Sequence, residues 1–377
     1  MKKVYLDHAA SAPLLPEVLD SMFPFFTEHF GNPNSVHSWG RVTRTAIERV
    51  RKLIAGYLQV SSSEIFFTSC GTESNNMVLQ GAVRNLGVKR IITSTAEHHC
   101  VLHTAMNLQE TGIEVVFLQP DQAGLISVNE LVDVLSSGSV KTLVSLMEVN
   151  NEIGARISLE EVAQVCKQYG ALFHTDATQS VGWYSYNLNQ TPVDFLSASA
   201  HKFHGPKGIG FVYCRTGVSP GPLLFGGAQE RNMRAGTENV AGIVGMGKAL
   251  ELAIQNMEHR RLVISRLRSH FIQAIRAAVP QAIIQGPIEE RSTSYRILNI
   301  RFPLNQRTSL LIYNLDIAGI AASGGSACSS GTLQVSHVLK AIQMPEDQVA
   351  VRFSLSFLNT VEEIDYTVDT LQKQFAV

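Results

Sequence analysis

Short apolar runs alternate along most of the chain with segments whose apolar residues repeat at helical spacing. The clearest helical pattern runs from Arg41 to Leu58. This alternation is typical of an α/β fold in which a mostly parallel sheet is covered by helices on both faces. Seven apolar runs predict the strands of one large sheet: Ile65 to Ser69, Arg90 to Thr95, Glu114 to Gln119, Thr142 to Val149, Ala171 to Thr175, Asp194 to Ala198 and Ile209 to Cys214.

Three further helices are predicted from their first residues. A serine or threonine followed three residues later by a glutamate can form a capping box, in which each side chain binds the other residue's backbone N–H. The pairs with this spacing are Ser127 with Glu130, Ser158 with Glu161, and Thr360 with Glu363.

The pattern changes after about residue 240, where a long helical stretch from Val240 to Ala278 begins. Two separate strand patterns follow it, Tyr295 to Arg301 and Ala350 to Leu355. We therefore predict a second, smaller α+β domain. The predicted division has three parts: an N-terminal segment that packs with the small domain (residues 1–15), a large domain (16–255) and a small C-terminal domain (256–377).

Composition excludes several classes of protein. Of the 377 residues, 45% are hydrophobic and 17% are charged, and the net charge is −1, as in an ordinary globular enzyme. Because there is no basic excess, nucleic-acid binding is not predicted as a main function. Asp7 and His8 interrupt the apolar start, and no run of about 18 apolar residues follows, so we expect a cytoplasmic protein without a membrane segment.

The five cysteines predict neither disulfides nor a cysteine zinc site, since they form no C-x-x-C pair. Cys166 and Cys214 lie in helical and strand patterns and are expected to be buried. Cys328 differs, because residues 322–331 are too rich in glycine and serine for a regular element. We therefore expect its thiol on a loop, where a free cysteine is a liability unless it is used. Cys100 has no role that the sequence predicts.

Lys202 and Asp176 together predict a pyridoxal phosphate site. Asp176 ends a buried strand, and Lys202 follows the next strand. That cofactor needs a lysine amine to form a Schiff base and a carboxylate to keep a proton on its ring nitrogen. Gly71 and Thr72 open a helix after another strand, and the free amides of a helix start bind phosphate. The Gly71–Thr72 turn is weak evidence alone and favours a phosphate site only beside the other two residues.

A histidine cluster offers a competing interpretation. His99 and His103 are four residues apart, a spacing that can place two metal ligands on one helix face. No third ligand is positioned to complete the site, so a metal centre is not predicted. His98, directly after a strand, is better placed to lie over a cofactor ring and to transfer protons.

These residues belong to a longer series of motifs through which the chain resembles the cysteine desulfurases, NifS/IscS-like members of the aminotransferase class V family. The segments that carry the resemblance run almost from end to end: residues 5–10 (YLDHAA), 30–33 (FGNP), 71–76 (GTESNN), 97–98 (EH), 149–154 (VNNEIG), 174–179 (HTDATQ), 201–202 (HK), 233–237 (MRAGT), 326–328 (SAC) and 351–354 (VRFS). Gln334 and Val335 depart from the family pattern, which often has Glu-Pro there.

The resemblance implies the fold-type I architecture of pyridoxal-phosphate-dependent transferases and a role for each matching residue. Lys202 would hold the cofactor, Asp176 would face its ring nitrogen, Gln179 its hydroxyl, and His98 would stack on the ring. Residues implied to hold the phosphate are Gly71, Thr72, Ser199 and His201, with Thr237 supplied by the second subunit of a homodimer. Residues implied on the substrate side are Asn151, which also contacts the cofactor, and Arg352, suited to bidentate pairing with a carboxylate.

The implied activity is conversion of L-cysteine to L-alanine, with the sulfur passed to Cys328 as a persulfide and then to an acceptor protein for iron-sulfur cluster or thio-cofactor assembly. A selenocysteine lyase and a class V aminotransferase share the same fold and cofactor residues and remain alternatives. A non-enzymatic scaffold subunit is disfavoured, because it would have no need of a Schiff-base lysine.

Overall fold

The computed structural model describes residues 2–324 and 335–375. Its strands are β1 (Val4–Tyr5), β2 (Ile65–Thr68), β3 (Arg90–Ser94), β4 (Glu114–Leu118), β5 (Thr142–Ser145), β6 (Leu172–Asp176), β7 (Phe195–Ser199), β8 (Gly210–Cys214), β9 (Ile283–Gln285), β10 (Ile297–Pro303), β11 (Ile320–Ala321), β12 (Ser323–Gly324) and β13 (Gln348–Ser354). Its α-helices are α1 (Pro16–Met22), α2 (Pro24–Thr27), α3 (Ser38–Leu58), α4 (Gly71–Leu86), α5 (His99–Glu110), α6 (Val128–Ser136), α7 (Leu159–Gln168), α8 (Val240–Gln255), α9 (Met257–Ala278), α10 (Leu311–Ile317), α11 (His337–Ala341) and α12 (Val361–Phe375).

Seven strands in the described part of the chain form one sheet in the order β2-β8-β7-β6-β5-β3-β4. Only β8 runs against its neighbours within this sheet. The predicted α/β fold with a mostly parallel seven-stranded sheet is therefore confirmed. Strand β5 ends earlier than predicted, at Ser145, because its ladder with β3 stops at Val144 and Val149 pairs instead with Arg156.

The C-terminal part of the chain forms a smaller antiparallel sheet in the order β12-β13-β10-β9. Strand β1 pairs in parallel with β11, and Asp7 forms a bridge with Ser354 at the end of β13. The first residues of the chain thus lie against this C-terminal part. The exact division into residues 1–15, 16–255 and 256–377 remains a prediction.

The predicted helices are present, with one break. Ser127, Ser158 and Thr360 each accept a hydrogen bond from the backbone N–H of the glutamate three residues later. The stretch predicted as helical from Val240 is divided into α8 and α9 at Asn256. There the backbone leaves the helical region (φ −115°, ψ 11°), and the Asn256 side chain donates to the carbonyl of Leu252.

Apolar burial on both faces of the large sheet fixes the position of the functional residues. Phe173, Leu196 and Phe211 on three central strands are fully buried. Parallel strands β6 and β7 end at the same edge of the sheet, and polar side chains collect there because the strand ends leave a crevice.

No helix in residues 2–324 or 335–375 combines the length and the apolar character needed to cross a membrane.

Candidate active site

A cavity of about 370 Å³ opens at this edge of the sheet. Ten of the residues that the sequence singles out line it: Gly71, Thr72, His98, Asn151, Asp176, Gln179, Ser199, His201, Lys202 and Arg352. Thr237 is exposed and does not line the cavity. Cys328 lies outside the described residues.

Lys202 ends a short 3-10 turn directly after β7, which directs its side chain into the cavity. Its Nζ donates to the carbonyls of Ala9 and Ala10, both at 2.8 Å. Burial lowers the pKa of the amine to about 8, and the positive charge of Arg352 adds to the effect, although Asp176 opposes it. A larger fraction of this amine is therefore neutral and nucleophilic near neutral pH than in an ordinary lysine.

Asp176, the last residue of β6, is fixed by two donors. Its Oδ2 accepts from Asn75 Nδ2 at 2.6 Å, and its Oδ1 accepts from the backbone N–H of Thr178 at 2.9 Å. Both bonds fix the positions of the carboxylate oxygens at the end of β6. The carboxylate is buried yet lines the cavity, so its charge acts there with little screening by solvent.

His98 caps α5, and its Nδ1 accepts from the backbone N–H of Cys100 at 3.2 Å. A neutral ring with Nδ1 as acceptor carries its proton on Nε2. Solvent reaches the side chain through the cavity, but the surrounding protein atoms still lower its pKa, with Asp176 opposing the shift. The neutral form is therefore favoured near pH 7.

Cys100 lies beside His98, with its Sγ 2.9 Å from His98 Nδ1 and 3.1 Å from Asn75 Nδ2. Burial, together with the charge of Asp176, raises the pKa of the thiol to about 12. Because only the thiolate is a strong nucleophile, Cys100 is unreactive at neutral pH.

The start of α4 forms a cradle with the loop after β6. Cys70, the residue before the helix, provides no side-chain cap, so the first amides are free for an anion. A Cβ atom at Gly71 would lie only 2.7 Å from Thr178 Oγ1. Thr178 Oγ1 and Gln179 Oε1 are buried without a hydrogen-bond partner among the described residues. Such unpaired buried atoms indicate a missing polar ligand, and the cradle fits a phosphorylated cofactor.

Arg352 on β13 is held by three acceptors. Its Nη1 donates to the Asn151 carbonyl at 2.9 Å, and its Nη2 donates to Asp7 Oδ1 and Ser323 Oγ, both at 2.9 Å. Each η nitrogen has two hydrogens, so Nη2 is fully used and Nη1 keeps one free. Bidentate pairing with a substrate carboxylate, as predicted, would therefore require Asp7 or Ser323 to release Nη2.

His201 lines the cavity, whereas His99, His103 and His337 do not. His201 Nδ1 lies 3.3 Å from Ser11 Oγ, and burial lowers the pKa of the ring to about 4, aided by the charge of Lys202. The ring of His99 lies 4.9 Å from that of His103 and 4.4 Å from that of His337. Among residues 2–324 and 335–375, no group of histidine, cysteine, aspartate or glutamate side chains is arranged to hold a metal ion.

Sequence reasoning missed Asp7, Asn75 and the carbonyls of Ala9 and Ala10 as parts of the site. In the sequence, residues 5–10 stand out as a family motif and Asp7 as a break in the apolar start, and Asn75 is only part of the segment after Gly71; none of this predicts a contact with Lys202, Asp176 or Arg352. Their contacts join residues 101 to 345 positions apart in the sequence, which no local pattern reveals.

Comparison with known proteins agrees with this geometry. The family model described as aminotransferase class V matches residues 4–367. The chain is 44% identical over 376 residues to "Cysteine desulfurase IscS" of Dictyoglomus turgidum, which covers 99% of this chain and 94% of that protein.

Solved structures give the same result. One described as "NIFS-LIKE PROTEIN" superposes with a TM-score of 0.90 at 36% identity over 99% of both chains. Another, "SspA in complex with cysteine", has a TM-score of 0.80 at 31% identity and covers 95% of this chain and 100% of that one. The resemblance to cysteine desulfurases is thereby confirmed, and the chain belongs to the aminotransferase class V family.

Proposed function

We propose that the protein is a cysteine desulfurase that converts L-cysteine to L-alanine and transfers the sulfur to Cys328. The substrate's C–S bond breaks, an S–S bond to Cys328 forms, and alanine and a persulfide are the products. The observation that carries the proposal is the joint placement of Lys202, Asp176 and Arg352 around one cavity. The names of the relatives support the same activity.

Pyridoxal phosphate is the proposed cofactor, and the residues of the cavity fit it. Lys202 would hold it covalently, Asp176 would face its ring nitrogen, and the amides of Gly71 and Thr72 would bind its phosphate. The unpaired buried Oε1 of Gln179 supports a contact with a hydroxyl on the ring. Bound pyridoxal phosphate supplies an electron-accepting ring beside the substrate's α-carbon.

Side chains of the protein would accept the protons that the substrate and the Cys328 thiol release. Lys202 Nζ, with a pKa of about 8, can take the α-proton of the substrate once its amine is free. Arg352, beside Asn151, is the cation available for the substrate carboxylate. We propose that His98 accepts the proton of the Cys328 thiol, since an ordinary thiol has a pKa of about 8.5. Because Nε2 carries the proton of the neutral ring, this step requires His98 Nδ1 to be released from the backbone N–H of Cys100.

A homodimer is supported by apolar side chains that remain exposed on the first third of the chain. Leu19, Phe23, Phe26 and Phe30 are between 52% and 67% exposed. Exposure of several large apolar residues together is typical of an interaction surface. In the proposed dimer, Thr237 of one subunit would reach the phosphate of the other.

The sulfur acceptor is proposed to be an iron-sulfur scaffold or another sulfur carrier protein, and the cytoplasm is the proposed compartment.

The proposal is tested by measuring alanine released from L-cysteine in the presence of a thiol reductant. We expect the parent protein to release alanine and the Cys328→Ala variant to lose at least 99% of the rate, or about 100-fold, as loss of a nucleophile does. Cys166→Ala is the matched control, because Cys166 is buried on α7 away from the cavity. Alanine formation by Cys328→Ala at the parental rate would favour a lyase mechanism, and amino-group transfer to a keto acid would favour an aminotransferase.

A further inference from the structure

A second cavity, of about 660 Å³, lies between α9 and the segment that leads into β10. It shares none of the described residues that line the active-site cavity. Its volume falls within the range of about 300–1,000 Å³ that is usual for small-molecule sites. The proposed desulfurase reaction uses no group from this cavity.

Arginines dominate the charge of the second cavity. Four of them line it among the described residues, against one carboxylate, that of Glu290. Three of these arginines have carboxylate partners at N–O distances of 3.0 or 3.1 Å: Arg156 with Glu148, Arg261 with Glu258 and Glu290, and Arg291 with Glu289. Their charges are largely balanced within the protein.

Arg268 is the exception. In the part of the chain that the structure describes, no carboxylate pairs with its guanidinium, and its buried Nε has no acceptor. A half-buried cation without a partner costs free energy unless water or an anion compensates it. Arg268 therefore supplies an unused charge and unused donors at the wall of the cavity.

Three residues with hydroxyl groups line the same cavity as Arg268. Ser265 and Ser269 flank Arg268 on α9, and the buried Thr293 faces the same cavity. An arginine fork together with several hydroxyl donors suits the oxygens of a phosphate, which has more acceptors than a carboxylate. Tyr184 and Tyr295, with ring centroids 5.3 Å apart, add an aromatic wall beside these donors.

We propose that this cavity is a binding site for a small phosphorylated molecule, held by Arg268 and the hydroxyls of Ser265, Ser269 and Thr293. The site is separate from the cofactor cradle at Gly71. Its occupation does not depend on whether the protein desulfurates cysteine.

Calorimetric titration of the cofactor-loaded protein with sodium pyrophosphate tests the site, with sodium chloride keeping the ionic strength constant. The bound cofactor occupies the phosphate cradle at the start of α4, which removes that cradle as a competing site. We expect saturable binding by the parent protein and at least tenfold weaker binding by Arg268→Gln, because a charged hydrogen-bond donor is lost. Arg268→Lys should retain part of the affinity.

Arg266→Gln is the matched control, since Arg266 lies on the same helix but is exposed and does not line the cavity. Its affinity for pyrophosphate should equal that of the parent. If Arg268→Gln does not fold, the double variant Ser265→Ala with Ser269→Ala serves as the test and should also weaken binding. The proposal would be overturned if the parent protein did not bind pyrophosphate. It would also be overturned if the Arg268→Gln variant or the double-serine variant bound pyrophosphate as tightly as the parent. Neither result would bear on alanine formation.

Discussion

At the scale of single residues, the reactivity of the site depends on the pKa of Lys202, which the neighbouring cation Arg352 helps to set. Burial and Arg352 act together to lower the pKa of Lys202 to about 8. At pH 7 about a tenth of such an amine is neutral, compared with fewer than one in a thousand for an ordinary lysine. Because the two charges interact, removal of the Arg352 charge should change the pKa of Lys202.

Uptake of pyridoxal phosphate by the cofactor-free protein should accelerate with pH through a midpoint near 8, because only the neutral Lys202 amine attacks the aldehyde. In Arg352→Gln the midpoint should move to higher pH, since loss of a nearby positive charge stabilises the ammonium form. The growth of yellow absorbance with time measures the rate. Arg301→Gln, on the neighbouring strand β10, is the control and should keep the parental midpoint. A midpoint that Arg352→Gln does not raise would contradict this account of the lysine.

Asp7 should restrain substrate binding, because its carboxylate occupies Nη2 of Arg352 at 2.9 Å. Asp7→Asn keeps an acceptor of the same shape but removes the charge that competes with the substrate carboxylate. We expect the KM for L-cysteine to fall about threefold to tenfold, a change typical of one partly exposed ion pair, with a smaller change in kcat. Steady-state kinetics measure both constants. A higher KM would show that Asp7 orients Arg352 and does not compete with the substrate.

At the scale of elements, the start of α4 is the part of the fold that shapes the phosphate cradle. Gly71→Ala would place a Cβ 2.7 Å from Thr178 Oγ1 and push the loop after β6 away from the helix. Cofactor affinity should fall at least tenfold, as measured by equilibrium dialysis. Gly56→Ala is the control, because its Cβ would meet no atom within 4 Å and alanine favours the helix α3. Equal affinity in both variants would contradict the assignment of the cradle.

Elements were easier to predict from the sequence than the contacts between them. Apolar runs identify strands such as β6 and β7 because burial on both faces requires continuous apolar sequence. The end of β5 depends on the pairing of Val149 with Arg156, and the break at Asn256 on a side-chain hydrogen bond to the Leu252 carbonyl; hydrophobic periodicity encodes neither. For the same reason Lys202 and Asp176 were identifiable by residue type, whereas Asn75, which fixes Asp176, was not.

At the scale of the whole molecule, the exposed apolar residues of the first helices predict a dimer of about twice 41.3 kDa. Phe26→Glu places a charge on a residue that is 62% exposed within this surface and should shift the protein toward monomers. Sedimentation equilibrium measures the mass. Leu262→Glu, on α9 at 50% exposure, is the control and should leave the dimer intact. A parent protein that is monomeric and fully active would exclude a role for Thr237 of a second subunit.

The central claim is that sulfur from L-cysteine reaches Cys328, and one single-turnover experiment tests it most directly. The cofactor-loaded protein is mixed with one equivalent of L-cysteine without reductant, and its thiol groups are alkylated and mapped by mass spectrometry. The account predicts one added sulfur atom on the peptide that contains Cys328 and a matching amount of alanine. Alanine with the added sulfur on Cys100, or with no sulfur retained on the protein, would contradict it.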